Sequence, residues 1–343
     1  MAFTVEHHEQ NPSQAHNAGT ATLPDNIRAE YAALHQGGAF YEAANRAKLA
    51  LIGGDRVRWL NGMVTNNIRD LAPGHGVYAF LLNPQGHILA DLYAFNRGDS
   101  LLIDVDKLLT GKVQEIFERY IIMDDVEVAD VTGKLLAAVT MGPESRRILA
   151  AAAIQVPELK LLQFQDMTWQ QIALTIVRTD NLECESFEIW LPPESMGTLR
   201  NALLAAGATP VGMQALELER IARGIPRYGQ DIRERDLPQE TSQDRALHFT
   251  KGCYVGQEIV ERIRSRGSVH RQFSQFRVDG AVPAPGTKIQ SAGKDVGEIT
   301  SSAILPGSGG DHGMALGYIR KEAALPGNEL IAGEAKLNIV RNS

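Results

Sequence analysis

Lys251-Gly252-Cys253-Tyr254-Val255-Gly256-Gln257-Glu258 compresses a thiol, an amine, two glycines and an amide–acid pair into one short segment. Its pattern predicts a loop entering a helix through Ile259, Val260 and Glu261. A thiol at a helix N-terminus beside an ammonium has its thiolate stabilised by two positive fields, the usual route to a reactive cysteine. The plain alternative is a small cysteine packed between glycines. Two carboxylates also stand out. Asp91 falls inside an apolar run from His87 to Phe95, where alternation sets it beside Leu89 and Tyr93 and against Ile88, Ala90 and Leu92. Burial there would raise its pKa and make it a proton acceptor or an anchor for a ligand amine; a solvated strand carboxylate is the alternative. Glu188, with Phe187 and Ile189 facing the opposite way, could accept the paired N–H donors at the edge of a pterin or guanine, or lie in solvent. Arg262, Arg264 and Arg266, followed by His270 and Arg271, share one face if extended. Such a strip suits a polyanion, or protects a strand edge by charge.

The elements that must position these groups are legible in outline. Asn83-Pro84-Gln85-Gly86 carries the preferences of a type I turn and joins strands 76–82 and 87–95 into a hairpin. Asp55 is placed to cap a short helix through Val57 and Leu60 that closes near Gly62. Asp106 does the same for a helix with Leu108, Leu109, Val113, Ile116 and Phe117 at helical spacing. From about residue 125 the pattern is strand (134–141), helix (143–153), strand (171–179), strand (187–191), helix (194–206). A further helix carries Met213, Leu216, Leu218 and Ile221 and stops at Gly224 with Pro226 beyond. After Gly267, short apolar runs separated by Pro- and Gly-rich turns have the spacing of a small antiparallel barrel.

Composition sets limits. The chain has 343 residues, 44% hydrophobic and 22% charged, enough for more than one core. No apolar run approaches the roughly 20 residues of a membrane span. A net charge of -7 argues against a surface wholly devoted to RNA or anionic lipid. Two cysteines, Cys184 and Cys253, exclude a disulfide framework and cannot alone hold an iron–sulfur cluster. No metal-site motif is present, and no metal is expected. The first 26 residues are polar and lack Arg and Lys, unlike a signal or transit peptide, so a cytoplasmic protein with a polar, disordered tail over residues 1–36 is expected.

The eight-residue motif, preceded by Gly224-Ile225-Pro226-Arg227-Tyr228-Gly229 and Leu237-Pro238-Gln239-Glu240, resembles the signature of the YgfZ branch of the YgfZ/GcvT folate-binding proteins. That branch is associated with tRNA modification and iron–sulfur maturation. Leu60-Asn61-Gly62-Met63-Val64-Thr65-Asn66 and Leu89-Ala90-Asp91-Leu92 resemble segments shared with the glycine-cleavage T-protein, an aminomethyltransferase. The resemblance implies an α+β fold of three domains in a ring. These are a discontinuous folate-binding N-terminal domain (37–124 plus 208–266), a ferredoxin-like middle domain (125–207) and a C-terminal β-barrel (267–343). It implies tetrahydrofolate, or a one-carbon derivative, as cofactor, with Tyr78, Asp91, Glu188 and Arg220 as its contacts and Asp91 and Cys253 as the catalytic groups.

Residues 180–186 lack the glycines and a tyrosine of the T-protein pattern, and Ala90 replaces an aspartate, which puts glycine-cleavage activity in doubt. The leading expectation is an accessory protein for assembly or repair of iron–sulfur proteins, its partners being folate and iron–sulfur client or assembly proteins. The alternative is a folate-dependent one-carbon transferase. A direct RNA-binding role is disfavoured by the acidic charge and by the absence of aromatics among the arginines.

Overall fold

A computed structural model describes residues 23–267 and 269–342. In chain order the elements are α1 (Asp25–Gln36), β1 (Ala39–Glu42), β2 (Arg46–Ile52), α2 (Arg56–Met63), β3 (His75–Leu82), β4 (Ile88–Asn96), β5 (Leu101–Asp106), α3 (Thr110–Tyr120) and β6 (Glu127–Asp130). There follow β7 (Leu136–Met141), α4 (Ser145–Ala151), β8 (Phe164–Trp169), β9 (Ile172–Arg178), β10 (Ser186–Leu191), α5 (Met196–Ala205), β11 (Thr209–Pro210) and α6 (Met213–Ala222). After a long connection come α7 (Gln257–Arg266), β12 (Arg271–Asp279), β13 (Lys288–Ser291), β14 (Lys294–Leu305), β15 (His312–Arg320), β16 (Leu330–Ala332) and β17 (Ala335–Asn342).

These strands form a five-stranded sheet in the order β3-β4-β5-β2-β6, a six-stranded sheet β11-β1-β7-β10-β9-β8, and a closed barrel β12-β15-β14-β13-β16-β17. The three-domain α+β architecture is therefore present. Alternation assigns the faces. In β4, Ala90, Leu92 and Ala94 enter a core with α2 and α3, while Phe95 turns to the other side. In β10, Phe187, Ile189 and Leu191 pack on α4 and α5, leaving Glu188 and Trp190 on the opposite face. Phe95, Phe164 and Trp190 then meet between the two sheets. The barrel is held through Phe273, Leu316 and Tyr318, which pack with Ile27 of α1 and Leu218 and Ile221 of α6.

Several expectations change. Residues 1–22 of the expected tail lie outside the described residues, but residues 25–36 form helix α1. Ile27, Tyr31 and Leu34 recur at helical spacing within a polar composition, and Ile27 and Leu34 are buried. Strand β1, expected with the first domain, pairs with β7 and β11 in the second sheet, where Phe40 joins the core. Conversely, β6 lies beyond residue 124 yet pairs with β2. The Asp55 carboxylate makes no local cap; it accepts from the Asp125 amide at 3.0 Å and pairs with Arg58. Asp106 does cap, accepting from the Leu108 amide at 2.9 Å, and that leaves the Leu108 side chain exposed rather than in the core.

The hairpin forms as expected, with the Gly86 amide donating to the Asn83 carbonyl at 2.9 Å and Gly86 at φ 77°. Gly256 begins α7 at φ 83°, and a Cβ there would lie 2.6 Å from the Asn83 carbonyl oxygen. The motif loop is thus seated directly on the hairpin turn. Gly256→Ala is expected to cost about 1–3 kcal/mol from its left-handed backbone alone. Gly111→Ala, in α3 with open space at its Cβ, should instead stabilise by about 0.5–1 kcal/mol. Urea denaturation of both variants reads the opposite signs.

Candidate functional site

A cavity of about 660 Å³ opens between the two sheets, helix α6 and strand β12. Its wall includes Tyr93 and Asp104 from the first sheet, Glu188 from the second, Arg220 and Arg223 from α6, and Ser274 from the barrel.

The floor is ionic. Lys48 of β2 is 1% exposed, and its ammonium bonds Asp104 of β5 and, at 2.8 Å, Glu188 Oε1 across the sheet boundary. The Trp190 indole donates to the same oxygen at 2.5 Å. Both donors fall on Oε1, so Oε2 retains capacity to accept from a ligand. Arg46 completes the group, its Nε lying 2.7 Å from Asp104. Burial acts to raise the Asp104 carboxyl, but Arg46 and Lys48 outweigh it and hold it below the ordinary carboxylate range.

Of the expected contacts, Glu188 and Arg220 line the cavity; Tyr78 and Asp91 do not. Tyr78 donates to Asp91 Oδ2 at 2.9 Å, and its ring lies 5.0 Å from that of Tyr93, which does line the cavity. Asp91 is thus coupled to the wall through two tyrosines. Burial raises its pKa, against the pull of Arg46 and the Tyr78 hydroxyl. Arg220 reaches the wall with all five N–H donors committed. They go to Glu217 twice (3.0 and 2.6 Å), the Ile225 carbonyl (2.7 Å), Asp231 (2.6 Å) and Ser301 (2.8 Å). It ties α6 to the barrel and positions the wall.

The motif departs from expectation in detail. Cys253 is exposed and lies in the loop ahead of the Gly256 cap, not at the helix N-terminus, and it is absent from the cavity wall. Lys251 points away into the protein, its amine donating to the Asn61 and Val64 carbonyls. Burial, then Arg69, lowers its pKa to about 7. The arginine strip is not extended either. Arg262, Arg264 and Arg266 fall on helix α7, where two-residue spacing sets Arg264 about half a turn round the axis from Arg262. Arg271 sits apart in an ion cluster with Asp236 and Glu240.

Sequence reading missed Lys48, Trp190, Tyr93, Arg245 and Ser274. The Tyr93 hydroxyl donates to Asp180 at 3.0 Å, Arg245 pairs with the same carboxylate, and Arg223 donates to Asn181, so residues 180–183 are clamped into the cavity wall. Ser274 is 1% exposed and its hydroxyl has no partner among the described residues. A lysine inside the apolar run of β2 was the one available signal for the ionic floor.

Residues 4–251 match the family model described as the GCVT N-terminal domain, and residues 271–343 match the CAF17 C-terminal beta-barrel domain. The chain belongs to the GCVT family. An aminomethyltransferase of Rubrobacter xylanophilus is 27% identical over 292 residues, 84% of this chain and 78% of the relative. A second, from Thermosynechococcus vestitus, is 28% identical over 306 residues, 89% of this chain and 82% of the relative. The crystal structure of the glycine cleavage system aminomethyltransferase T from Bartonella henselae superposes with a TM-score of 0.81 at 20% identity, covering 92% of this chain and 88% of that one. The GCVT fold is thereby established across nearly the whole chain. Among the described residues no helix is long and apolar enough to cross a membrane, and no group of three His, Cys, Asp or Glu side chains could hold a metal.

Lys48→Met removes the cation from two buried carboxylates and should destabilise by about 3–5 kcal/mol in urea denaturation. The exposed pair Glu115–Arg119 should be worth no more than about 0.5 kcal/mol in the same assay. Asp91 gives a pH signature. Its folded pKa is raised, so the folded state binds more protons than the unfolded one above about pH 3.9, and stability falls as pH rises through that window. Asp91→Asn should remove this fall and raise the melting temperature at neutral pH, as read by calorimetry from pH 4 to 8.

Proposed function

We propose that the cavity binds tetrahydrofolate or a one-carbon derivative, and that the protein is an accessory factor of the YgfZ type supporting assembly or repair of iron–sulfur proteins through Cys253. The observation that carries the ligand assignment is the Glu188 carboxylate, fixed through one oxygen by Lys48 and Trp190 with the other left to accept. A pterin presents a ring N–H beside an amino group, and a carboxylate held in this way suits that donor pair. Ser274, with its orphaned buried hydroxyl, supplies a second polar contact, and Tyr93 an aromatic face. The residues present therefore fit the cofactor. When bound, tetrahydrofolate would supply a one-carbon-carrying amine; Glu188 would orient it, Ser274 would anchor it, and Asp91 would act through Tyr78 and Tyr93.

The separation of the exposed thiol from the cavity favours a role toward a partner. An iron–sulfur client can reach Cys253 without entering the cavity, and such a client or a second protein must supply further ligands for any cluster. The raised pKa of Asp91 is the observation that favours the second reading, a one-carbon transferase in which Asp91 handles a proton at the folate amine.

Calorimetric titration with tetrahydrofolate and 5-formyltetrahydrofolate should show micromolar binding. Glu188→Gln should weaken it by about 1–3 kcal/mol, as expected for a lost charged hydrogen bond, while Cys253→Ser should bind as well as wild type. In cells lacking the protein, Cys253→Ser should fail to restore iron–sulfur enzyme activities. Absence of binding by wild type overturns the folate assignment, and full complementation by Cys253→Ser overturns the role of the thiol. Turnover to methylenetetrahydrofolate that is lost in Asp91→Asn and kept in Cys253→Ser would establish the transferase reading instead.

A further inference from the structure

A second cavity, of about 470 Å³, lies where residues 233–236 meet barrel strands β14 and β15. It belongs to neither the folate pocket nor the cysteine motif. We infer that it binds a small, multiply charged oxyanion carrying phosphate or carboxylate groups.

Charge is the first observation. The wall holds five cationic side chains against the acids Asp236, Asp295 and Glu298, in a chain whose net charge is -7. The acids are already engaged. Glu298 accepts from Arg233 at 2.9 Å and from Lys288 at 2.7 Å, Asp236 from Arg271 at 2.7 Å, and Asp295 from Gln290 at 3.0 Å. Arg235 and Arg320 remain. Both are exposed at this cavity and make no side-chain hydrogen bond or ion pair among the described residues. Two guanidinium forks converging on one concavity present donors that match carboxylate or phosphate oxygens.

An unsatisfied hydroxyl is the second, independent observation. Tyr318 of β15 lines the same cavity, is 5% exposed, and its hydroxyl has no hydrogen-bond partner among the described residues. A buried O–H without an acceptor costs free energy that an incoming oxygen recovers. The ring is held in place by Phe273, at 5.5 Å between centroids, and by the Arg271 guanidinium, 4.7 Å from its centroid. Anion oxygens would therefore meet guanidinium donors at the rim and a phenol at the wall. A volume of this size suits a small ligand, and a hydroxyl this far from the surface favours a free anion over the backbone of a polymer.

The test is isothermal titration of the full chain with pyrophosphate and, separately, with citrate. Saturable one-to-one binding of either is expected; pyrophosphate alone identifies a phosphate site, citrate alone a carboxylate site. Arg235→Gln combined with Arg320→Gln should weaken binding at least tenfold, and Tyr318→Phe, which keeps the packed ring, about fivefold. Tetrahydrofolate titrations of the same variants should match wild type, which separates this site from the folate assignment. No saturable binding of either anion, or undiminished binding by the double variant, overturns the proposal. Undiminished binding by Tyr318→Phe removes the hydroxyl from it.

Discussion

The Lys48 ammonium is the interaction on which the site depends. A cation in a strand interior is tolerable only where carboxylates neutralise it, because desolvation of each ion costs several kcal/mol. Here the two carboxylates come from different sheets, Asp104 from β5 and Glu188 from β10. The ion group therefore fixes the position of one sheet against the other where the cavity needs its floor. Replacing every charged member of the group together by packed apolar side chains could match its contribution to stability, but could not hold a carboxylate with one oxygen committed and the other available.

The neighbouring layer follows from period-2 geometry. Tyr93 and Phe95 of β4 and Glu188 and Trp190 of β10 turn toward the space between the sheets because their alternate neighbours are claimed by helices on the outer faces. Aromatic rings fill one end of that space, with Phe95 and Trp190 4.9 Å apart in an edge-to-face pair, while ionic groups line the other. The segment 180–183 is then held in the wall by side-chain clamps from Tyr93, Arg245 and Arg223 onto Asp180 and Asn181.

Local rules made much of the fold legible. The Asn83–Gly86 turn, the alternation around Asp91 and Glu188, and the stop of α6 ahead of Pro226 all depend on neighbours in sequence, and all appear. What escaped depends on partners distant in sequence. Strand β1 is too short to declare which sheet it joins, and α1 hides a three-residue apolar stripe in a polar segment. Arg220 does line the cavity, but its saturation by Glu217, Asp231 and Ser301 could not be read from spacing. The arginine strip failed for a sharper reason: its one-sidedness assumed a strand, and on a helix the middle position, Arg264, falls on the side opposite its neighbours two residues away.

The cysteine motif divides into anchors and one unanchored group. Lys251 binds the carbonyls of Asn61 and Val64 at the C-terminal end of α2, where orphan acceptors and the helix dipole both favour a donor. Burial lowers its pKa, and an amine has N–H groups for two carbonyls whether charged or neutral, so the anchor does not depend on its charge. Gly256 admits the close approach to Asn83, and Tyr254 packs into the core below the turn. Cys253, beside the exposed Gly252, is open to solvent. A loop tied down on both sides of an exposed thiol fixes where that thiol is presented, on the surface and away from the cavity wall.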